Sequence, residues 1–553
     1  MAVGKDRNGR HRRRRTTADD GGWRATALRA TFTEAVRHHR AGRLAEAGRL
    51  YDRVLKRDPR HADALHLRGL VAHQQGDPER ARAWVAKAIA IDSGNAAYHN
   101  TLGAVRLGGD DAAAAEACFR RALALDPDLA EAHNNLGNAL LRQGHAEAAI
   151  GCYRRALEIR PDYAEAHGNL GSALRRQGRL SEAQASCERA LAVKPDHVSA
   201  LANLGQILHE QGRYHEALAA LDRAVVLDPA HAEARANRAV LLLRFGRFDE
   251  GWREYEWRWR VPGFATERHR RTRPRWDGRD PGGRTIVLHA EQGFGSAIQF
   301  VRYAPLLAAR NATVVLECPR PLVRLFSCLT SGSAAPVARV VARGDPLPPH
   351  DLQVPLMSLP ALFRTEIDGI PRDVPYLAAA ATATAHWRRR LTAVPSPRIG
   401  LAWAGSPRHV NDRNRSMPAS ALRPLLAAVV ASWFSLQLGP QADEIVTLSG
   451  GEIHDLAGDI TDFADTAAVV ANLDLLISVD TAVAHLAGAL GRPVWLLLPF
   501  VGEWRWLVER TDTPWYPTMR LFRQAAPGDW GDVVRRVGEA LAAAWPGSGC
   551  TPP

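Results

Sequence analysis

The sequence is short of the features that mark several protein classes. Its 553 residues hold six cysteines, none paired as Cys-x-x-Cys and none at metal-ligand spacing. A disulfide scaffold and a structural zinc site are therefore not expected, and a reducing, cytoplasmic compartment is. No run of about 18 uncharged apolar residues is present, so no transmembrane helix is expected. The N-terminus lacks the apolar core and small-residue cleavage site of a secretory signal. The net charge of +13 comes with no zinc-finger spacing, no aromatic single-strand motif and no helix-turn-helix, so nucleic acid is not an expected partner.

Much of the N-terminal charge sits in one place. Within residues 1–15, Lys5, Arg7, Arg10 and the run Arg12 to Arg15 face only Asp6. Such a run reads as a disordered, solvated tail, assigned here to 1–27. Peripheral contact with an anionic membrane is the alternative use of the tail.

What the chain does have is a 34-residue echo. Gly69, Gly103, Gly137, Gly171 and Gly205 are each 34 apart, as are Gly144, Gly178, Gly212 and Gly246, and Pro127, Pro161, Pro195 and Pro229. In the unit 130–163, Leu136, Gly137 and Leu140 share one face of a first helix, which Gly144 ends. Ala149, Tyr153 and Ala156 share a face of a second, and Pro161 stops it. Small residues let paired helices approach, and Leu and Tyr fill the gap. This pattern resembles the tetratricopeptide repeat. About seven units are expected over 28–262, stacked as an α-solenoid with a concave wall, because one unit cannot bury its own apolar faces.

Residues that vary in register carry function. Asn135, Asn169, Asn203 and Asn237 share one slot on the first helix of four successive units. An amide donates and accepts at once, so such a ladder is expected to hold the backbone of an extended protein or peptide. Similar ladders line the groove of repeat-bearing O-linked N-acetylglucosaminyltransferases, which the architecture resembles. The competing reading is that these amides tie helices together. His99, His133 and His167 also recur at 34 and read as a packing slot, not metal ligands.

The seventh unit departs from the pattern. From Phe248, two residues past Gly246, the chain reads FDEGWREYEWRWR, with Arg258 where a small residue belongs. This is read as a terminal cap whose tryptophans pack on the next domain. A basic connector, 263–283, follows.

From Arg284 short apolar runs alternate with helical stretches. Strands are expected at 285–289, 313–317, 339–343, 398–402, 433–438, 473–479 and 493–498. Strands alternating with helices imply two doubly wound parallel sheets, 284–390 and 391–547, facing a cleft, with ligands at the carboxyl ends of the strands. Three turns there carry candidate chemistry. HAEQGFGSAIQFVRY, 289–303, offers Gly293 and Gly295 in a tight turn before a helix. WAGSPRHVNDRNRSMP, 403–418, offers Arg408, Arg413 and Arg415 to a phosphate. ISVDTAVAHLAGALGRPVWLLLP, 477–499, sets Asp480, Thr481 and His485 at a helix start, a natural diphosphate site.

The third turn resembles the signature of glycosyltransferase family 9, the heptosyltransferase-like enzymes, and the resemblance runs over about 280–545, including FADTAAVVANLDLLISVD and the WRWL at 504–507. It implies a GT-B fold and an inverting, metal-independent transfer from a nucleotide-sugar, with no cofactor and no metal. It puts Asp480, Thr481, His485 and Arg415 on the donor. The family's first turn reads Gly-Asp, with that Asp as general base; here the pair is Gly295–Ser296. Ser needs help to accept a proton at neutral pH, so Glu291, on the same turn, is the expected substitute beside Ser296. The alternative is a non-catalytic repeat scaffold carrying a degenerate nucleotide-sugar-binding domain.

Overall fold

The computed structural model describes residues 17–262, 264, 273–331, 335–391, 394–407, 411–448 and 453–546, with side chains from residue 26 onward. From Thr17 to Tyr255 the chain is fourteen consecutive helices, two per repeat. The pair Ala130–Arg142 and Ala146–Ile159 shows why the sequence folds this way. A Cβ at Gly137 would stand 2.5 Å from the Tyr153 ring, so only glycine lets the large side chain of the second helix reach the first. The same small–large contact recurs for Gly103 with Phe119 at 2.5 Å and Gly69 with Val85 at 2.6 Å. The hairpin turn needs a left-handed residue, which Gly144 supplies at φ +86. In the preceding unit the equivalent slot falls on Asp110, at φ +60.

The chain divides into two compact units, 1–207 and 208–553. The division thus falls inside the repeats and not at 262. The helices Tyr214–Leu227, Ala232–Arg244 and Phe248–Tyr255 belong with the sheets. Their attachment is aromatic: Trp252, buried, meets Phe300 and Trp504 edge-on at centroid distances of 6.1 and 5.2 Å. Trp257 and Trp259 stay outside this core, under Arg235 and Arg258 respectively. The first helix, Thr17–Arg40, overlaps the expected tail, whose residues 1–16 lie outside the described residues, as does part of the connector.

The second unit holds two parallel sheets. In the first, β1 (Thr285–His289), β2 (Thr313–Cys318), β3 (Arg339–Ala342) and β4 (Leu352–Pro355) lie in the order β3-β2-β1-β4. In the second, β5 (Arg398–Ala402), β6 (Ser432–Ser435), β7 (Ile453–Asp455), β8 (Leu475–Val479), β9 (Val494–Leu498) and β10 (Met519–Arg523) lie in the order β10-β9-β8-β5-β6-β7. Each sheet reverses its winding once, between β1 and β4 and between β5 and β8. Ligand crevices of such sheets open at these switch points. The three turns read from the sequence follow β1, β5 and β8, so all three flank a switch point. Among the described residues no helix is long and apolar enough to cross a membrane.

Candidate active site

The turn after β8 is the most buried part of the site. Thr481 occupies the N-cap of the helix Ala482–Ala489, but its hydroxyl lies 3.0 Å from Ser478 Oγ and makes no cap bond. Asp480 does not cap either. Its Oδ2 accepts a 2.8 Å bond from Trp506 Nε1, in a side chain only 10 % exposed. Burial, then the nearby Glu503, raises its carboxyl to about 6, against the pull of the Trp506 bond and of Arg415 and Arg505. His485 lies deeper, stacked on Trp506 at 5.3 Å with Nδ1 3.0 Å from Tyr516 Oη. Burial first, then the cations Arg505, Arg302 and Arg415, holds it well below its ordinary value and therefore neutral. Neither Asp480 nor His485 stands open at the cleft mouth; both form its floor.

The loop after β5 closes over that floor. Ser416 Oγ accepts from Gly405 N at 2.9 Å and pairs with Asp412 at 3.0 Å, which folds the loop back on itself. Arg415 then reaches the Asp480 carbonyl at 3.2 Å and sits beside the start of the Ala482–Ala489 helix. Gly405 is what admits it, since a Cβ there would lie 2.6 Å from Arg415 Nη2. Arg413 is exposed, and Arg408 lies outside the described residues.

The turn after β1 meets the floor from the other sheet. Gly293 caps the seven-residue helix Phe294–Phe300 and is exposed. Gly295 is a point of close contact between the halves: a Cβ there would stand 2.7 Å from His485 Cδ2. Ser296 Oγ receives a 2.9 Å bond from Arg505 Nη2. The expected role of Glu291 meets a geometric obstacle. Its side chain is 3 % exposed and its Oε1 accepts from Arg258 Nη2 at 3.3 Å and from Met357 N at 3.2 Å. The odd Arg258 of the terminal cap, paired with Glu256 at 2.8 Å, is thus also the buried counter-ion of Glu291, and the carboxylate faces the cap.

Several participants had only weak sequence signals. Arg505 is buried between the sheets, bonded to Gln299, Glu503 and Ser296. Arg302, also buried, donates to the carbonyls of Pro371 and Trp515 and to Tyr376 Oη. A Trp-Arg-Trp triplet between two strands was the visible sign of the first; nothing marked the second.

In the repeats the amide ladder is used internally. Asn135 Nδ2 donates to Asn100 at 3.0 Å, Asn169 Nδ2 to Asn134 at 2.9 Å, and Asn203 Nδ2 to the Gly168 carbonyl at 3.2 Å. Each bond joins a first helix to that of the preceding unit. Asn237 Nδ2 is buried without a partner among the described residues. The histidines close turns: Nε2 of His99, His133 and His167 meets the carbonyls of Ser93, Pro127 and Pro161 at 2.9 to 3.0 Å.

Comparison with known proteins agrees with this layout. Tetratricopeptide-repeat models match residues 32–96, 169–232 and 210–255, and a related repeat model matches 111–144 and 137–178. A model described as glycosyltransferase family 9 (heptosyltransferase) matches 439–497, the segment that carries Asp480 and His485. The chain joins tetratricopeptide repeats to a glycosyltransferase family 9 domain. Protein FlbA of Caulobacter vibrioides is 27% identical over 312 residues, 53% of this chain and 52% of FlbA, so the chain spans about half the length of that relative. Among solved structures, MamA is 27% identical at a TM-score of 0.26, covering 29% of this chain and 94% of MamA. YrrB, titled a TPR protein with an unusual peptide-binding site, is 24% identical at 0.27, covering 33% and 95%.

Proposed function

We propose that the second unit transfers a sugar from a nucleotide-sugar to an acceptor, a protein or peptide, captured by the repeats, by an inverting and metal-independent displacement. The observation that carries this reading is Arg415 held beside the N-terminus of the Ala482–Ala489 helix, over the ordered Asp480–Trp506–His485 floor. A fixed guanidinium next to free helix amides suits a diphosphate, and stabilises it most as it gains charge on leaving. Capture of the acceptor falls to repeat side chains other than Asn135, Asn169 and Asn203, whose donors join helices. The test is calorimetry of the full chain against a panel of nucleotide-sugars, followed by Arg415→Ala. Binding of one donor, weakened by about 2 kcal/mol in the variant, is expected for a charge-assisted contact. Failure of every donor to bind refutes the reading.

A second reading has its own observation. Ser296 is uncharged and hydrogen-bonded to a buried arginine, so the turn after β1 brings no carboxylate to the cleft. A repeat scaffold that binds donor without turning it over follows from that. Donor affinity with no release of nucleoside diphosphate, in the presence or absence of acceptor, distinguishes it.

A further inference from the structure

A general base is missing from the turn after β1, yet a carboxylate stands one guanidinium away. Arg505 bridges the two sheets: Nη2 donates to Ser296 Oγ at 2.9 Å, and Nη1 donates to Glu503 Oε2 at 2.5 Å. Arg505 is held in place by Gln299 Oε1 at 2.5 Å and by the face of Trp504 at 4.6 Å. Its orientation is therefore fixed, and so is the carboxylate it grips. Unlike Glu291, whose side chain is 3 % exposed, the Glu503 side chain is 40 % exposed.

The neighbours of Glu503 come from both sides of the proposed reaction. Its charge is felt by Asp480 on the donor side. It is also felt by Arg244 and Tyr255, on the last repeat helices. Arg244, itself buried, bonds the carbonyl of Gly502, the residue before it. Glu503 thus sits in a short segment held at both ends, by Arg244 of the repeats on the Gly502 carbonyl and by the bond from Trp506 Nε1 to Asp480.

We propose that Glu503 is the general base of the transfer, standing in across Arg505 for the carboxylate that Ser296 lacks. This rests on the transfer reading above. The Glu503 carboxylate takes the proton of the acceptor hydroxyl. The acceptor oxygen bonds the anomeric carbon as the bond from that carbon to the phosphate oxygen breaks, and the electron pair leaves with the nucleoside diphosphate. Arg505 orients the carboxylate, and Ser296 anchors the other end of the guanidinium.

The test uses the full chain and three variants, Glu503→Gln, Glu503→Asp and the double variant Glu503→Gln/Ser296→Asp. Donor Kd is read by calorimetry and turnover by release of nucleoside diphosphate from the same panel of nucleotide-sugars, with water as acceptor where no other is known. Glu503→Gln is expected to keep the donor Kd and lose about 100-fold or more in turnover, the size of a general-base contribution. Glu503→Asp keeps part of the activity, and the double variant regains turnover because a carboxylate returns to the turn after β1. Full turnover in Glu503→Gln overturns the assignment while leaving the transfer reading intact. A wild-type protein that binds donor and never releases nucleoside diphosphate overturns both the assignment and the transfer reading, in favour of the non-catalytic scaffold. Absence of any donor binding overturns the transfer reading itself.

Discussion

Replacing Asp480 by Asn isolates what the buried carboxylate does to the fold. The carboxyl rises from its ordinary value of 3.8 to about 6, with burial as the largest cause. A folded-state value above the unfolded one means that ionisation disfavours the folded chain. The penalty is absent below the unfolded value, grows as pH rises between the two, and is complete above about 6. At about 1.36 kcal/mol per pH unit, the gap between the two values corresponds to about 3 kcal/mol at pH 8 and to about half of that at pH 5. Asn keeps the shape and still accepts from Trp506 Nε1, but it does not ionise. The variant is therefore expected to be more stable than the wild type at pH 8, with a margin that shrinks toward zero on acidification. Denaturant unfolding of both proteins at pH 5, 6.5 and 8, followed by tryptophan fluorescence, measures this directly. The donor affinity of the variant is expected to fall in the same samples, because the ionised group is kept at a cost to stability. A stability difference that is flat with pH refutes the argument, as does a variant less stable than the wild type at every pH.

Three other outcomes follow from the geometry. Gly295→Ala places a methyl 2.7 Å from His485; a loss of about 1–3 kcal/mol in stability is expected from overpacking, with weaker donor binding, read by unfolding and calorimetry. Arg258→Met leaves Glu291 buried without its counter-ion and also breaks the Arg258 bonds to Glu256 and Ser358, at a cost of about 3–5 kcal/mol, and adding Glu291→Gln restores the part due to Glu291 in a double-mutant cycle. Asn169→Ala removes the bond to Asn134 and lowers the stability of the repeats by about 1 kcal/mol, measured by urea unfolding.

The repeats were legible because their period repeats the same contact. Gly137 under Tyr153 and Gly103 under Phe119 are one packing rule written several times, and a rule repeated in register survives local noise. The long apolar strands β1, β5, β8 and β9 were legible for a related reason, being buried along most of their length. The strands that escaped were β4, β7 and β10. Pro346, Pro348 and Pro349 crowd the approach to β4 and hide its short apolar alternation. The strand β7 is three residues long and largely exposed, and β10 interleaves arginines with its apolar residues. In the site, the identity of the turns was readable but the direction of their side chains was not. Asp480 and Glu291 each lie just past a strand end, which says nothing of whether the carboxylate faces the cleft, Trp506 or the Arg258 of the cap.

That last distinction bears on how the two ends of the second unit work together. Arg258 and Tyr255 lie on the final turn of the repeat array, and they hold Glu291 and Gln292, the residues that enter the turn after β1. On the other side Arg505 holds Ser296, four residues further on. The turn is therefore clamped at both ends, by the cap and by the second sheet. A free catalytic loop would need neither clamp. A buried ion pair contributes little net stability over an apolar pair of the same shape, so the Arg258–Glu291 pair is better explained by the register it imposes. The pair fixes the entry to the turn whose Gly295 packs against His485.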